Sequence, residues 1–425
     1  MTLVSELDLP SFDYLDPELR GERFHAALGE LRAGGWLAAG PYGYVVLDHE
    51  AGEHFLRTRS AIFPGMKIAE LFDVREGPLY EEMVRNILHI NGPDHTRLRS
   101  LVNPALSPRA VERYRPVARR FIAELFAAVT DRCEFVEAIA KPYPSQMIAT
   151  VMGAPLSDAP RLHHWSNWIQ RQFDAASMMS ERAEIERAVV EFYEYAGALV
   201  AARRSRPADD LISKLIAAEE EGERLSDSEC VNLILNVLIG GVDTTQSQLA
   251  HGLRLFAEHP RQWQLLGDDP SLAGAAVEEV LRFEPITPFT ARITTEELTV
   301  RDVTFPPDTI VMVCAFTGNR DVGDAAGAAG APDAGGGAAR KDAGAGANAG
   351  AFDITAKRER FRALTFGAGV HYCLGANLAR VELQEAFAFL APRMRNLELD
   401  GDTVYESILG IYGLSELPVR FSPRR

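Results

Sequence analysis

A chain of 425 residues with 47% hydrophobic and 24% charged residues has the apolar content for a large core, which excludes a disordered protein. No apolar run approaches the length of a membrane span, and a net charge of −16 excludes nucleic acid as a partner, since a phosphate backbone is held by a basic face. The amino terminus carries neither a basic nor an apolar targeting region and the four cysteines are scattered singly, so a reducing, cytoplasmic setting is expected.

In chain order, residues 18–31 read as an amphipathic helix and residues 42–47 as a short strand, the start of a small β region. From 63 to 91 the pattern is broken by Pro64, Gly65, Gly77 and Pro78 and predicts irregular chain. Asp94 then reads as the N-cap of a helix that carries His95 and Arg99 on one face, a pair that by itself suits a solvated surface. Residues 110–130 predict a helix kinked at Pro116 and rich in arginine. Between 133 and 222 the pattern is helical with proline interruptions.

Ser226-Asp227-Ser228-Glu229 has the form of a capping box, and no proline follows until Pro260, so one helix of roughly thirty residues, near 50 Å long, is predicted. Residues 231–239 are apolar on almost every face, which predicts burial. Gly240-Gly241-Val242-Asp243-Thr244-Thr245 interrupts this helix, although each interior glycine costs about 1 kcal/mol relative to alanine. Asn236, Gly240 and Thr244 share a face with Asp243 beside them, and small residues there would let a flat cofactor and a diatomic ligand press against the helix. The plainer alternative is a kink packed against another helix. Further on, Glu279 and Arg282 form an i, i+3 pair, residues 285–292 are extended, and residues 298–300 and 309–313 suit short strands. From 322 to 350 Ala, Gly and Asp dominate without periodicity, which predicts a disordered surface insertion.

The most informative stretch is Phe366-Gly367-Ala368-Gly369-Val370-His371-Tyr372-Cys373-Leu374-Gly375, running directly into a helical pattern. Gly367, Gly369 and Gly375 would let the backbone approach a flat ligand closely. Cys373 stands where the helix begins, so free N–H groups and the helix dipole favour thiolate, which makes it a candidate metal ligand. A dinucleotide turn would need glycine where Tyr372 stands, a zinc site would need Cys133, Cys230 or Cys314 at ligand spacing, and a structural cysteine would need no flanking glycines.

This segment resembles the haem-binding loop of the cytochromes P450, Phe-Gly-x-Gly-x-His-x-Cys-x-Gly, at every fixed position. Gly240 to Thr244 resembles that family's oxygen-binding helix motif, and His95/Arg99 and Glu279/Arg282 resemble its His-x-x-x-Arg and Glu-x-x-Arg elements, in the family's order. The resemblance implies a mainly α protein with a small β region, a single domain over 1–425 carrying the 322–350 insertion. It implies one haem b, with Cys373 as iron ligand, and Gly240, Phe366, Gly367 and Gly375 against the ring. His95, Arg99, Arg292 and His371 would neutralise the propionates, and Asp243 and Thr244 would deliver protons.

The implied reaction is insertion of one oxygen atom from O2 into a C–H bond of an apolar small molecule, such as a lipid, terpenoid, steroid or polyketide of secondary metabolism. Electrons would come from a separate ferredoxin and ferredoxin reductase, docking on the cysteine side through Arg113, Arg115, Arg119, Arg120, Lys357, Arg358, Arg360 and Arg362. Residues 88–90, 286–289 and 408–412 would line the substrate chamber. The insertion displaces the arginine that usually completes the Glu279/Arg282 brace, and Arg358 is a candidate replacement. Two rival readings stand beside this one: a non-hydroxylating outcome of the same haem, such as coupling or dehydration, and a haem-binding sensor or carrier without turnover.

Overall fold

The computed structural model describes residues 1–220, 225–321, 350–358 and 361–423. The predicted insertion, Gly350 excepted, lies outside the described residues. The site is framed by helices α1 (His49–Arg57), α2 (Gly92–Val102), α3 (Arg115–Phe126), α4 (Pro142–Met152), α5 (Ala159–Gln170), α6 (Arg182–Ser205), α7 (Asp227–Gly241), α8 (Asp243–Glu258), α9 (Ala273–Phe283) and α10 (Ala376–Leu390). Among the described residues no helix is long and apolar enough to cross a membrane.

Helix α7 starts as its sequence requires: the Glu229 amide donates to Ser226 Oγ at 3.2 Å while the Ser226 amide donates to Glu229 Oε2 at 2.7 Å. Its apolar residues from Cys230 to Ile239 are then buried against α4, α5 and α6. Burying side chains such as Ile234, Leu235 and Leu238 contributes about 1.5–3 kcal/mol each. The predicted single long helix is instead two, parted at Val242. Gly241 abuts α4, where a Cβ would run into Ile148, and the Thr244 hydroxyl donates to the Gly240 carbonyl at 2.5 Å. Packing therefore explains one glycine of the pair, while Gly240 faces open space.

Other boundaries differ from expectation for related reasons. Pro116 does not kink a helix but stands in the first turn of α3, where its missing N–H costs nothing. Asn91, not Asp94, is the N-cap of α2. Residues 63–91 are not irregular throughout, because Gly65 and the Gly77-Pro78 pair open short helices at Met66–Leu71 and Pro78–Arg85. The helix expected over 18–31 runs from Gly21 to Gly34.

The β region includes a five-stranded sheet of strands β1 (Leu37–Gly40), β2 (Gly43–Val46), β3 (Ala61–Ile62), β4 (Phe289–Thr294) and β5 (Ile310–Cys314), ordered β1-β2-β5-β4-β3. β2 and β5 pair in parallel, and β4 pairs antiparallel to β5 with Arg292 opposite Val311. The hydrogen-bonded ladder thus fixes the register that carries Arg292 into the interior.

Glu279 and Arg282 on α9 are a buried bidentate pair, with Nε and Nη2 each 2.7 Å from a carboxylate oxygen. Arg282 also donates to the Asn319 carbonyl at 3.1 Å and the Ala351 carbonyl at 2.9 Å, which ties both flanks of the 322–349 stretch to one side chain. Asp321 is held in turn by Arg32.

Candidate active site

The loop ending in Cys373 is folded back on itself: the Cys373 amide donates to the Phe366 carbonyl at 2.9 Å, and Gly375 caps α10. Gly367, at φ +67°, and Gly375 have nothing within 4 Å of where a Cβ would stand, and both line a cavity of about 450 Å³. Gly369, at φ +71°, has another reason: its Cβ would meet the Leu56 carbonyl at 2.5 Å, so this glycine seats the loop on α1. The expectation that all three glycines clear space for a flat ligand is corrected at Gly369.

Cys373 lines the same cavity. Burial pushes its thiol up, and the amides of Gly375 and Ala376 with the charges of Arg99 and Arg380 oppose this without overcoming it. Burial thus opposes the thiolate that the helix start was expected to favour, and a cation at the sulfur would restore that preference. Phe366 lines the cavity beside it, its ring covered by the Arg380 guanidinium at 4.7 Å.

A basic cluster borders this cavity. Arg99, Arg292 and His371 line it, and the buried His95 ring lies 4.2 Å from that of His371. Arg99 Nη2 donates to the Tyr372 carbonyl at 2.6 Å, Arg292 Nη1 donates to the Ala291 carbonyl at 2.8 Å, and His371 Nε2 stands 3.1 Å from Asn91 Oδ1. Neither arginine meets a carboxylate among the described residues. Burial pushes Arg292 down to about 10, and burial with neighbouring positive charge pushes His95 down to about 4 and His371 down to about 3. Among the described residues the buried His95 Nε2 and His371 Nδ1 meet no partner.

A buried guanidinium without a counter-ion is costly, so Arg292, with the half-buried Arg99 on the same cavity wall, calls for an anion. A flat group edged with carboxylates fits, lying against Gly240, Gly367 and Gly375. Among the described residues no cluster of three or more His, Cys, Asp and Glu could hold a metal ion, so a metal at Cys373 must bring its other ligands with it. Haem meets both requirements.

Gly240 and Thr244 line the large cavity, but Asp243 does not. Its carboxylate turns to α5, accepting from Ser166 Oγ at 2.5 Å and more distantly from Asn167 Nδ2 at 3.5 Å, with His163 Nε2 at 4.0 Å. Burial pushes Asp243 up, opposed by His163 and Ser166. The two expected proton-delivering residues thus face different spaces. Asp243 opens on a second, polar cavity of about 260 Å³.

The sequence reading missed two buried groups. His89 is enclosed, with neither ring nitrogen partnered among the described residues, 5.6 Å from the Phe63 ring that also neighbours His371. Glu382 lines the large cavity from α10, its Oε2 has no partner among the described residues, and burial pushes its carboxyl well up. A glutamate among the apolar residues Val381, Leu383 and Ala386 was the available signal for Glu382.

The predicted docking cluster is mostly occupied: Arg113 pairs with Asp209, Arg115 with Glu112, Arg119 with Glu385 and Arg120 with Glu124. Arg358 is held by Glu279 and is half-buried, and Arg360 lies outside the described residues. Lys357 and Arg362 remain exposed. Of the predicted chamber segments, Leu88, Ile286, Phe289 and Leu409 line the cavity, joined by Phe63 and Ile87.

The family model for cytochrome P450 matches residues 36–266 and 271–322. The chain is 32% identical over 422 residues to luteothin monooxygenase of Streptomyces thioluteus, covering 99% of this chain and 98% of that protein. It is 32% identical to erythromycin C-12 hydroxylase of Saccharopolyspora erythraea, covering 78% and 79%. Among solved structures, CalO2 superposes with a TM-score of 0.84 at 27% identity, over 98% of this chain and 100% of that one. P450BioI in complex with hexadec-9Z-enoic acid ligated acyl carrier protein gives 0.81 at 27%, over 94% and 99%. With a cysteine loop, a basic cluster and a glycine-broken helix around one cavity, these likenesses settle the family: the chain belongs to the cytochromes P450 and is a haem-iron monooxygenase.

Proposed function

We propose that the protein holds haem b through Cys373 and hydroxylates a C–H bond of an apolar small molecule, with electrons delivered by a ferredoxin and its reductase. The observation that carries this reading is the large cavity itself, where Cys373 and the unpaired Arg99 and Arg292 share walls with Thr244 and with Phe63, Ile87, Leu88 and Phe289. Bound haem iron supplies the activation of O2, with a thiolate ligand favouring O–O cleavage.

The chain's own residues do the rest. Arg99, Arg292, His95 and His371 bind the propionates and fix the ring's orientation. The apolar wall excludes water from the reacting carbon and orients it. The Thr244 hydroxyl, now donating to the Gly240 carbonyl, turns to hold a water and pass on a proton that Asp243 supplies. For the electron donor, the exposed Val370 and Tyr372 of the cysteine loop, at 69% and 39%, offer an apolar contact, with Lys357, Arg362 and Arg109 as exposed cations.

Relatives named for luteothin, erythromycin and polyketide biosynthesis favour a polyketide-like substrate. The test is a screen of macrolides, polyketide intermediates, steroids and fatty acids for a change in haem spin state, followed by product analysis with ferredoxin, reductase and O2. Hits that raise reductant consumption and yield hydroxylated product support the reading. Hits that raise consumption without hydroxylated product would favour a non-hydroxylating outcome such as coupling or dehydration.

A further inference from the structure

The polar cavity behind α8 is outside the substrate chamber but adjoins it, since Gln170, Leu409 and Gly410 border both. Its walls include Asp243 and Ser247, one turn apart on α8, and Glu406 from the carboxyl-terminal segment. The Glu406 carboxylate occupies space that only a glycine at 413 leaves free: a Cβ there would run into Glu406 Oε2 and stand 3.0 Å from Ser247 Oγ. Among the described residues nothing donates a hydrogen bond to this carboxylate.

Charge around the two acids is mixed. Asp243 faces His163, Ser166 and Asn167 of α5, and Glu406 feels Arg171 and Arg20 as well as Asp243, with Asp174 on the same cavity wall. Burial raises both carboxyls, and the charge of Asp243 raises Glu406 further. Two carboxyls raised in this way on the wall of one polar cavity suit the exchange of a proton.

We propose that Glu406 is the proton donor that recharges Asp243 through the polar cavity. A proton leaves the Glu406 carboxyl, crosses cavity water beside Ser247, and arrives on an Asp243 carboxylate oxygen; Glu406 is reprotonated from solvent water entering the cavity. This rests on the reading of Asp243 and Thr244 as the delivering pair. It explains why Asp243 turns its carboxylate away from the substrate chamber, and it gives Gly413 a reason, since any side chain there would displace the donor.

The test uses haem-loaded enzyme and needs no substrate. Infrared spectra of protonated carboxyl groups are titrated in H2O and D2O for wild type, Glu406→Gln and Asp243→Asn. Glu406→Gln should remove one carboxyl band and convert the two-step titration of the pair into a single step. With ferredoxin and reductase, reductant consumption should slow several-fold with a larger solvent isotope effect, and Glu406→Asp should recover part of the rate. Gly413→Ala, which displaces the carboxylate without removing it, should slow consumption in the same direction. If Asp243→Asn slows consumption while Glu406→Gln and Gly413→Ala match wild type, the Glu406 proposal is overturned and the delivering pair stands. If Asp243→Asn also matches wild type, both readings fall.

Discussion

Arg358 Nε stands 3.1 Å from Glu279 Oε2, so an arginine from beyond the 322–349 stretch completes the buried group that Glu279 forms with Arg282. Arg358→Ala removes one of two cations from a buried carboxylate and should cost about 2–3 kcal/mol, less than the roughly 3–5 kcal/mol of breaking an isolated buried pair. Arg358→Lys should recover little, because a point charge cannot reproduce the fork that reaches both oxygens. Thermal unfolding of the haem-loaded protein measures this, and an unchanged midpoint for Arg358→Ala would show that Arg282 alone suffices.

Cys373→Ser should abolish the thiolate-type spectrum of the reduced carbon monoxide adduct while far-ultraviolet circular dichroism stays near wild type. Cys133, Cys230 and Cys314 do not line the cavity, so none can substitute. A retained spectrum would mean that another residue holds the iron.

Thr244→Ala should uncouple the enzyme rather than silence it. Alanine favours the helix by a few tenths of a kcal/mol over threonine, roughly 0.5 at most, so haem binding should survive. Product formed per reductant should fall and hydrogen peroxide should rise; an unchanged ratio would show that the hydroxyl serves only the Gly240 carbonyl.

Glu284 is buried with Arg254 Nη2 at 3.1 Å and His25 Nε2 at 2.9 Å. Burial alone would raise its carboxyl, but His25 and Arg254 win and hold it well below the usual range. A depressed folded value means that its stabilisation is present above the ordinary glutamate value, about 4.3, and is lost as pH falls below it. Glu284→Gln should therefore destabilise the protein at neutral pH by about 3–5 kcal/mol and flatten the acid limb of the stability curve. A parallel downward shift at every pH would show that Glu284 does not contribute to that limb.

Reversing Arg109 and Arg362 together should slow reduction of the haem by ferredoxin and weaken its salt dependence, because steering acts through local field. Arg109 belongs to the short helix Pro108–Val111, which packs on α10, the helix that follows Cys373. Stopped-flow reduction at two ionic strengths is the measurement, and unchanged rates would remove this face as the docking site.

What could be read from the sequence was local. The Ser226/Glu229 box, the Cys373 loop and the strand around Arg292 are set by residues a few positions apart, and their spacing states their geometry. What could not be read depends on partners far along the chain. Gly369 clears the Leu56 carbonyl, Gly241 clears Ile148, and Asp243 follows Ser166, none of which is a neighbour in sequence. Pro64-Gly65 and Gly77-Pro78 misled for a different reason, since the same residues that break a helix also begin one.

The double grip of Arg282 on the Asn319 and Ala351 carbonyls makes the two sides of the 322–349 stretch a fixed doorway. A flexible linker inserted there would add closure entropy that grows only by about 0.6 kcal/mol for each doubling of length. The doorway is thus a splice point: a folded module inserted there would hang from the frame without altering its register. An electron-donor domain grafted at this position would act at the millimolar effective concentration of a short flexible tether, converting a two-protein relay into a self-sufficient enzyme.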